Sequence, residues 1–192
     1  LLDSETQYVP DTHPWFQAAL ADPDSPMRER FLFTRREPPE WLHLSFNLPV
    51  DGGQVPLALR ELPLLNLAHP DVMAFQQAFY AYWLDPLGQG DGRSGVDGYR
   101  LDHVMDDLDG HRLLRNFWRP VIEHVRRQAP EAFFLAEPAD WHTHGAELLR
   151  DAAIDGVFAI PLMFALRAPD AAKLVAELRQ TFADAAPGRS RF

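Results

Sequence analysis

An arginine and an aspartate stand two positions apart, Arg100 and Asp102, inside the otherwise apolar run GVDGYRLDHV at residues 95–104. In an extended strand, residues i and i+2 leave the same face, so these opposite charges emerge side by side. A second apolar run, AFFLAE at 132–137, closes on Glu137 as VDGYRLD closes on Asp102. Were the two runs consecutive parallel strands, both acids would arrive at one end of one sheet, the end at which β/α barrels assemble catalytic groups. Two carboxyl groups about 5 Å apart are the machinery of retaining glycoside cleavage, one attacking the anomeric carbon and the other protonating the leaving oxygen. Arg100 favours the ionised form of Asp102, which makes Asp102 the candidate nucleophile. Glu137, with Phe133, Phe134 and Trp141 available as apolar walls, is the candidate general acid and base. Taken singly, each residue reads as structural, an ion pair or a helix cap. Together they bring the catalytic reading level with the structural one.

The elements needed to position these groups are visible in the patterning. Residues 13–70 are rich in Pro, Asp and aromatics and show no sustained period, which reads as a long irregular excursion. From Asp71, the residues Val72, Phe75, Phe79 and Trp83 recur at helical spacing. The turn-rich DPLGQGDGRSG leads into the VDGYRLD strand. Leu113, Leu114, Phe117, Trp118, Val121, Ile122 and Val125 then form an amphipathic helical stripe ended by Pro130. AFFLAE resembles a buried parallel strand. A weaker helix through GAELLRDA, a third strand IDGVFAI and a helix marked by Leu174, Val175, Leu178 and Phe182 follow. Alternating helices and strands predict an α/β fold with a parallel sheet.

Composition narrows the partners. The 192 residues are 46% hydrophobic and 24% charged, with a formal net charge of -10. An acidic chain without clustered Lys and Arg does not suit a nucleic-acid backbone. There is no cysteine, hence no disulfide or thiolate metal site, and the redox compartment stays undetermined. No apolar run reaches the length of a membrane span, so a soluble chain is expected; no signal peptide is visible, and the compartment, cytoplasmic or periplasmic and secreted, stays unknown.

Four segments, in order, resemble the α-amylase family of glycoside hydrolases, glycoside hydrolase family 13. GVDGYRLDHV is similar to the family's fourth-strand Gly-x-Arg-x-Asp motif, which carries the nucleophile. FFLAEPADW resembles the fifth-strand motif with its acid/base Glu. ELPLLNLAHPDV resembles the Leu-Pro-Asp-Leu-Asn segment before the third helix, and LLDSETQYVPDTHPWFQ resembles the end of the third strand and its loop. The resemblance implies a partial TIM-type (β/α)8 barrel holding roughly strands three to six. Residues 9–70 would be the excursion after strand three, and residues 71–192 the βα units four to six. It also implies retaining hydrolysis of α-glucosidic bonds in maltooligosaccharides or related α-glucans, with Asp102 and Glu137 catalytic and Arg100 beside them. No cofactor is required for that chemistry.

The departures from the family are specific. Gln7 and Tyr8 stand where Asn and His are usual; Gln7 still offers a carbonyl oxygen, so a structural calcium stays open, and Tyr8 becomes a candidate sugar contact. Leu64 replaces an Asp, and Met105 and Asp106 replace the Lys-His pair of starch-degrading members. The family's third carboxylate lies in an Asn-His-Asp motif on the seventh strand, which falls outside this chain, so this stretch of barrel alone is expected to be inactive. Glucosyl transfer or isomerisation, or a non-catalytic binding role, are the alternatives. Further candidates are His103 and Trp141 as sugar contacts and Trp15 and Trp41 as stacking platforms; Asp85, Asp91 and Asp97 could offer oxygens to calcium, but their spacing matches no defined calcium loop and a solvated turn is the simpler reading. The His142-x-His144 pair suits metal, though a surface loop is the simpler reading. Trp83 and Trp118 are expected in the core.

Overall fold

In the computed structural model, residues 1–44, 62–90, 94–105, 112–168 and 170–184 are described. Along the chain run β1 (Leu2–Ser4), α1 (Pro14–Ala21), a 3-10 turn (Pro26–Arg30), β2 (Phe33–Arg35), β3 (Glu40–Trp41), β4 (His43–Leu44), β5 (Leu62–Pro63) and α2 (Pro70–Leu84). There follow β6 (Gly98–Val104), a π-helical turn (Leu114–Trp118), α3 (Arg119–Gln128), β7 (Phe133–Pro138), α4 (Ala146–Asp151), β8 (Gly156–Val157), α5 (Ile160–Arg167) and α6 (Ala171–Asp184). The chain divides into two compact units, one made of Leu1–Ser4 with Phe75–Phe192 and the other of Glu5–Ala74.

The first unit is built on a parallel sheet in the order β1-β6-β7-β8. Strand β6 alternates as expected: Tyr99 and Leu101 are fully buried on one face, while Arg100 and Asp102 stand on the other, partly exposed. Strand β7 does the same, with Phe134 and Ala136 buried and Leu135 and Glu137 on the opposite face. The two strands approach closely because position 98 is glycine: a Cβ there would lie 2.0 Å from the Phe133 carbonyl oxygen. On the buried face, the Tyr99 ring packs edge-on to Tyr80 at 4.7 Å and stacks on Phe134 at 5.5 Å. The Tyr99 hydroxyl donates to the Tyr80 carbonyl at 2.5 Å, and burial, with Tyr80 adding to it, pushes the Tyr99 phenol well above its ordinary pKa.

All seven residues of the predicted Leu113–Val125 stripe are buried. The helix is not uniform, however. Pro120 sits within the stripe, where it lacks an N–H and would clash with the carbonyl four residues back. The preceding turn widens to π geometry, and the Arg119 N–H donates to Leu114 O, five residues away. Three expectations need correction. In α2 the buried residues are Val72, Gln76 and Tyr80, and Phe75 is 42% exposed, so the stripe is rotated from the one read off the large apolar residues. IDGVFAI supplies only the two-residue β8, because Pro161 starts α5 directly after it. In α6, Val175 and Phe182 are exposed while Thr181 is buried.

The second unit corrects the reading of residues 13–70 as irregular. Phe16 of α1 is fully buried among Phe31 at 5.1 Å, Trp41 at 5.0 Å and Phe33 at 6.2 Å, contacts that favour edge-to-face and offset geometry. Strands β2 and β3 pair antiparallel, as do β4 and β5. Its elements are too short to leave a period in the sequence. The part of the expected excursion at residues 45–61 lies outside the described residues.

Candidate active site

Parallel register decides which side chains share the exposed face of the sheet. Asp3 pairs with Arg100, and Arg100 with Leu135, so Asp3, Arg100, Asp102, Leu135 and Glu137 point the same way. At the C-terminal end the ladder breaks. Leu101 is opposite Ala136 and Val104 is opposite Pro138, so Asp102 and His103 together face the single residue Glu137. This is a β-bulge, a device that re-aims side chains and is common beside active sites. His103 takes φ 49°, the left-handed region that a non-glycine residue seldom enters. Strain of this kind costs on the order of 1–3 kcal/mol and persists where the surroundings enforce it.

The guanidinium of Arg100 joins the acids. Nη1 donates to Asp102 Oδ1 at 2.5 Å and to Asp3 Oδ1 at 2.9 Å, and Nη2 donates to Glu137 Oε2. The side chains of Asp102 and Glu137 are 19% and 14% exposed, against 71% for Asp3. Burial by itself would lower the Arg100 pKa; hydrogen bonds to Asp3 and Asp102 and the charges of Asp102 and Glu137 outweigh it, holding the group above its ordinary value. The backbone beneath is fixed as well, since the buried Ser4 hydroxyl donates to the Arg100 carbonyl at 3.0 Å and meets the Tyr80 hydroxyl at 3.0 Å.

The structure therefore brings Arg100, Asp102 and Glu137 together, but not in the environments expected. Glu137 shares the cation that the sequence assigned to Asp102 alone. Phe134 cannot wall Glu137, because it lies on the other face against Tyr99. The ring beside the cluster is Phe158, whose centroid is 5.7 Å from the Arg100 guanidinium. Phe158 follows β8 and is tied to β7 by its N–H to Ala136 O at 3.0 Å, so its register puts it on the Glu137 face. No motif marks it; only the strand pairing reveals it. Asp3, within the segment likened to the end of the third strand, is the third partner of Arg100, and nothing in the sequence marked it as such.

Other candidates fall elsewhere. Tyr8 is 5% exposed and bridged to Leu64 within the second unit, so it presents no open ring face for stacking. Trp15 lies in α1 under the Arg30 guanidinium at 4.3 Å, and Trp41 packs on Phe16, so neither is an open platform. Trp118 is fully buried as expected, and Trp83 is half-buried. Trp141 is 48% exposed in the loop after β7. His144 Nε2 is 2.8 Å from Glu177 Oε2. Both Asp85 oxygens accept from the loop's own donors, the Gln89 and Gly90 N–H groups and the Ser94 hydroxyl, and these bonds, led by that from Gly90, lower its pKa. Asp91 and Asp106 lie outside the described residues. Among the described residues, no group of three His, Asp or Glu is placed to hold a metal ion, and no helix is long and apolar enough to cross a membrane.

No family model matches the chain. It is 25% identical over 143 residues to alpha-amylase 3 of Dictyoglomus thermophilum, a match covering 73% of this chain and 26% of that protein. It is 27% identical over 172 residues to a trehalose synthase of Pimelobacter sp., covering 77% and 27%. The chain thus spans about a quarter of the length of these relatives. Its fold is similar to that of the cyclic α-maltosyl-(1→6)-maltose hydrolase of Arthrobacter globiformis, with a TM-score of 0.70 at 21% identity over 98% of this chain and 39% of the other. In sequence the chain is similar to members of the α-amylase family, and in fold it is similar to the hydrolase above.

Proposed function

We propose that the chain is part of the catalytic barrel of a retaining glycoside hydrolase acting on α-glucosidic bonds of maltooligosaccharides or related α-glucans. In this reading β1, β6, β7 and β8 are barrel strands three to six, and Glu5–Ala74 is the excursion after strand three. The observation that carries it is the Arg100 fork holding Asp102 and Glu137 on one face at strand ends. A guanidinium is rigid, so two carboxylates bonded to its two terminal nitrogens have their nearest oxygens within roughly 7 Å. That suits the about 5–5.5 Å of retaining enzymes better than the about 6.5–9.5 Å of inverting ones.

Asp102 attacks the anomeric carbon while Glu137 gives its proton to the leaving oxygen; water then enters, Glu137 takes its proton, and the sugar leaves Asp102. Arg100 keeps both acids in line through its two terminal nitrogens. Phe158 closes the face toward β8. His103 and Trp141 are the candidate sugar contacts. The chemistry needs no cofactor. The test is to assay the complete reading frame on maltooligosaccharides and starch, scoring trehalose as well, because one relative is named a trehalose synthase. Loss of turnover by orders of magnitude in both Asp102→Asn and Glu137→Gln supports the assignment; variants that match wild type refute it.

A further inference from the structure

Strand β8 delivers an aromatic ring to the face that carries the acids. Leu135 of β7 is paired with both Arg100 and Gly156, and Ala136 with both Leu101 and Val157. Val157 is therefore on the core face, 3% exposed, and Phe158, one residue on, belongs to the opposite face in the row of Glu137. In the row behind, the residue of β8 level with Arg100 and Leu135 is Gly156, which has no side chain to occupy that space. The Phe158 ring reaches back to this row: the Arg100 guanidinium carbon stands over the ring, 5.7 Å from its centroid. That is inside the roughly 6 Å within which an aromatic face attracts a cation.

The backbone sets where the ring stands. The Phe158 N–H donates to Ala136 O at 3.0 Å, and its carbonyl accepts from the Ile160 N–H at 2.9 Å. Ala159 between them takes φ −77° and ψ 62°, the inverse γ-turn common at strand ends, and Pro161 follows in the first turn of α5. Both backbone groups of Phe158 are thus bonded, and the chain leaves the sheet directly after it. Core packing is not what this ring supplies, since it is 36% exposed while Val157 and Ile160 on either side are buried. The bonds of Arg100 to Asp3, Asp102 and Glu137 all leave from Nη1 and Nη2. Such donors are directed along the plane of the guanidinium, so they hold its edge and leave its face uncovered. Among the described residues, Phe158 is the aromatic ring in contact with that face.

We infer that Phe158 is a positioning residue, whose ring bears on the face of the Arg100 guanidinium and keeps its fork aligned with Asp102 and Glu137. The inference rests on the two-carboxylate reading above for its effect on turnover, and on the β7–β8 register for the contact itself. The experiment compares two variants of the complete protein: Phe158→Leu, which fills much of the volume without an aromatic face, and Phe158→Tyr, which keeps the face. On maltooligosaccharides, Phe158→Leu is expected to lower kcat on the order of tenfold, with KM within about twofold of wild type, because a misaligned acid pair slows the chemical step more than it weakens binding. Phe158→Tyr is expected to retain most of the wild-type kcat. In crystal structures of the two variants, the Arg100 guanidinium should be turned away from Asp102 or Glu137 in Phe158→Leu and hold both in Phe158→Tyr. A loss confined to KM makes Phe158 a sugar contact and overturns the positioning role. So does an unchanged kcat in Phe158→Leu, a fork that keeps its place there, or a Phe158→Tyr as impaired as Phe158→Leu. The crystallographic comparison needs no turnover. If Asp102→Asn and Glu137→Gln match wild type while Phe158→Leu displaces the fork and Phe158→Tyr does not, the positioning of Arg100 stands and the catalytic reading alone is refuted.

Discussion

The Arg100 cluster is predicted to respond asymmetrically to loss of charge. Three carboxylates surround one guanidinium, so removing the cation and removing an anion are opposite perturbations. At an effective dielectric of 20 and a separation of about 4 Å, each close pair contributes roughly 4 kcal/mol of attraction, while two carboxylates about 6 Å apart repel by roughly 3 kcal/mol. Asp102→Asn loses one attraction but relieves repulsion from Glu137 and, weakly because Asp3 is exposed and screened, from Asp3. The two effects nearly cancel, and the variant should unfold within about 1 kcal/mol of wild type; Glu137→Gln follows the same reasoning. Arg100→Met loses every attraction and leaves the repulsions uncompensated, for a cost of at least the roughly 3–5 kcal/mol of deleting one partner of a buried pair. Urea unfolding at pH 7 of the complete protein and its three variants measures this. The gap should narrow in about 0.5 M salt, as screening weakens the exposed part of the cluster. If either amide variant is destabilised as much as Arg100→Met, the cluster is an ordinary stabilising ion-pair network and the reasoning fails.

Gly98→Ala places a Cβ against the backbone of β7, which cannot yield as a side chain can; loss of soluble, cooperatively folding protein is expected, read by expression and thermal melting. His103→Gly relieves the left-handed strain and should stabilise by about 1 kcal/mol while lowering turnover, because the bulge that aims Asp102 loosens; an unchanged or lower melting temperature refutes the strain argument. Asp151 is held below the usual carboxylate pKa first by its hydrogen bond from Arg150, with Arg115 adding to it. A depressed folded pKa stabilises above the unfolded value and is lost as pH falls through the folded one. Asp151→Asn should therefore be less stable than wild type at pH 7, and the difference should shrink below about pH 4 in unfolding curves taken across pH.

Much of the sheet was legible because β6 and β7 are long enough to alternate, and Arg100, Asp102 and Glu137 interrupt that alternation conspicuously. Strand β1, three residues long, carries no period of its own, and only its likeness to a third-strand segment pointed to it. The aromatic packing of Phe16, Phe31, Phe33 and Trp41 was illegible for a related reason: contacts between elements of two to eight residues are set by tertiary closure, not by local spacing. In α2, the large rings suggested the wrong face because Gln76 and Tyr80 can be buried when their polar atoms find partners. Phe158 was missed because its importance depends on register with β7, a property of two strands that neither contains alone.

The cluster also bears on the competing structural reading of the charged pair. An ion pair retained for stability should approach one anion per cation, with relaxed backbone and outer groups free to choose their geometry. Here one cation faces three anions, the ladder carries a bulge opposite Glu137, and His103 beside Asp102 has a backbone conformation that costs energy. The bulge and the left-handed backbone lower stability, and neither improves the packing of Tyr99, Leu101, Phe134 or Ala136 on the opposite face. Juxtaposed acids at a strand end suit the two-carboxylate chemistry proposed above, and that proposal would supply a reason for the arrangement that folding does not.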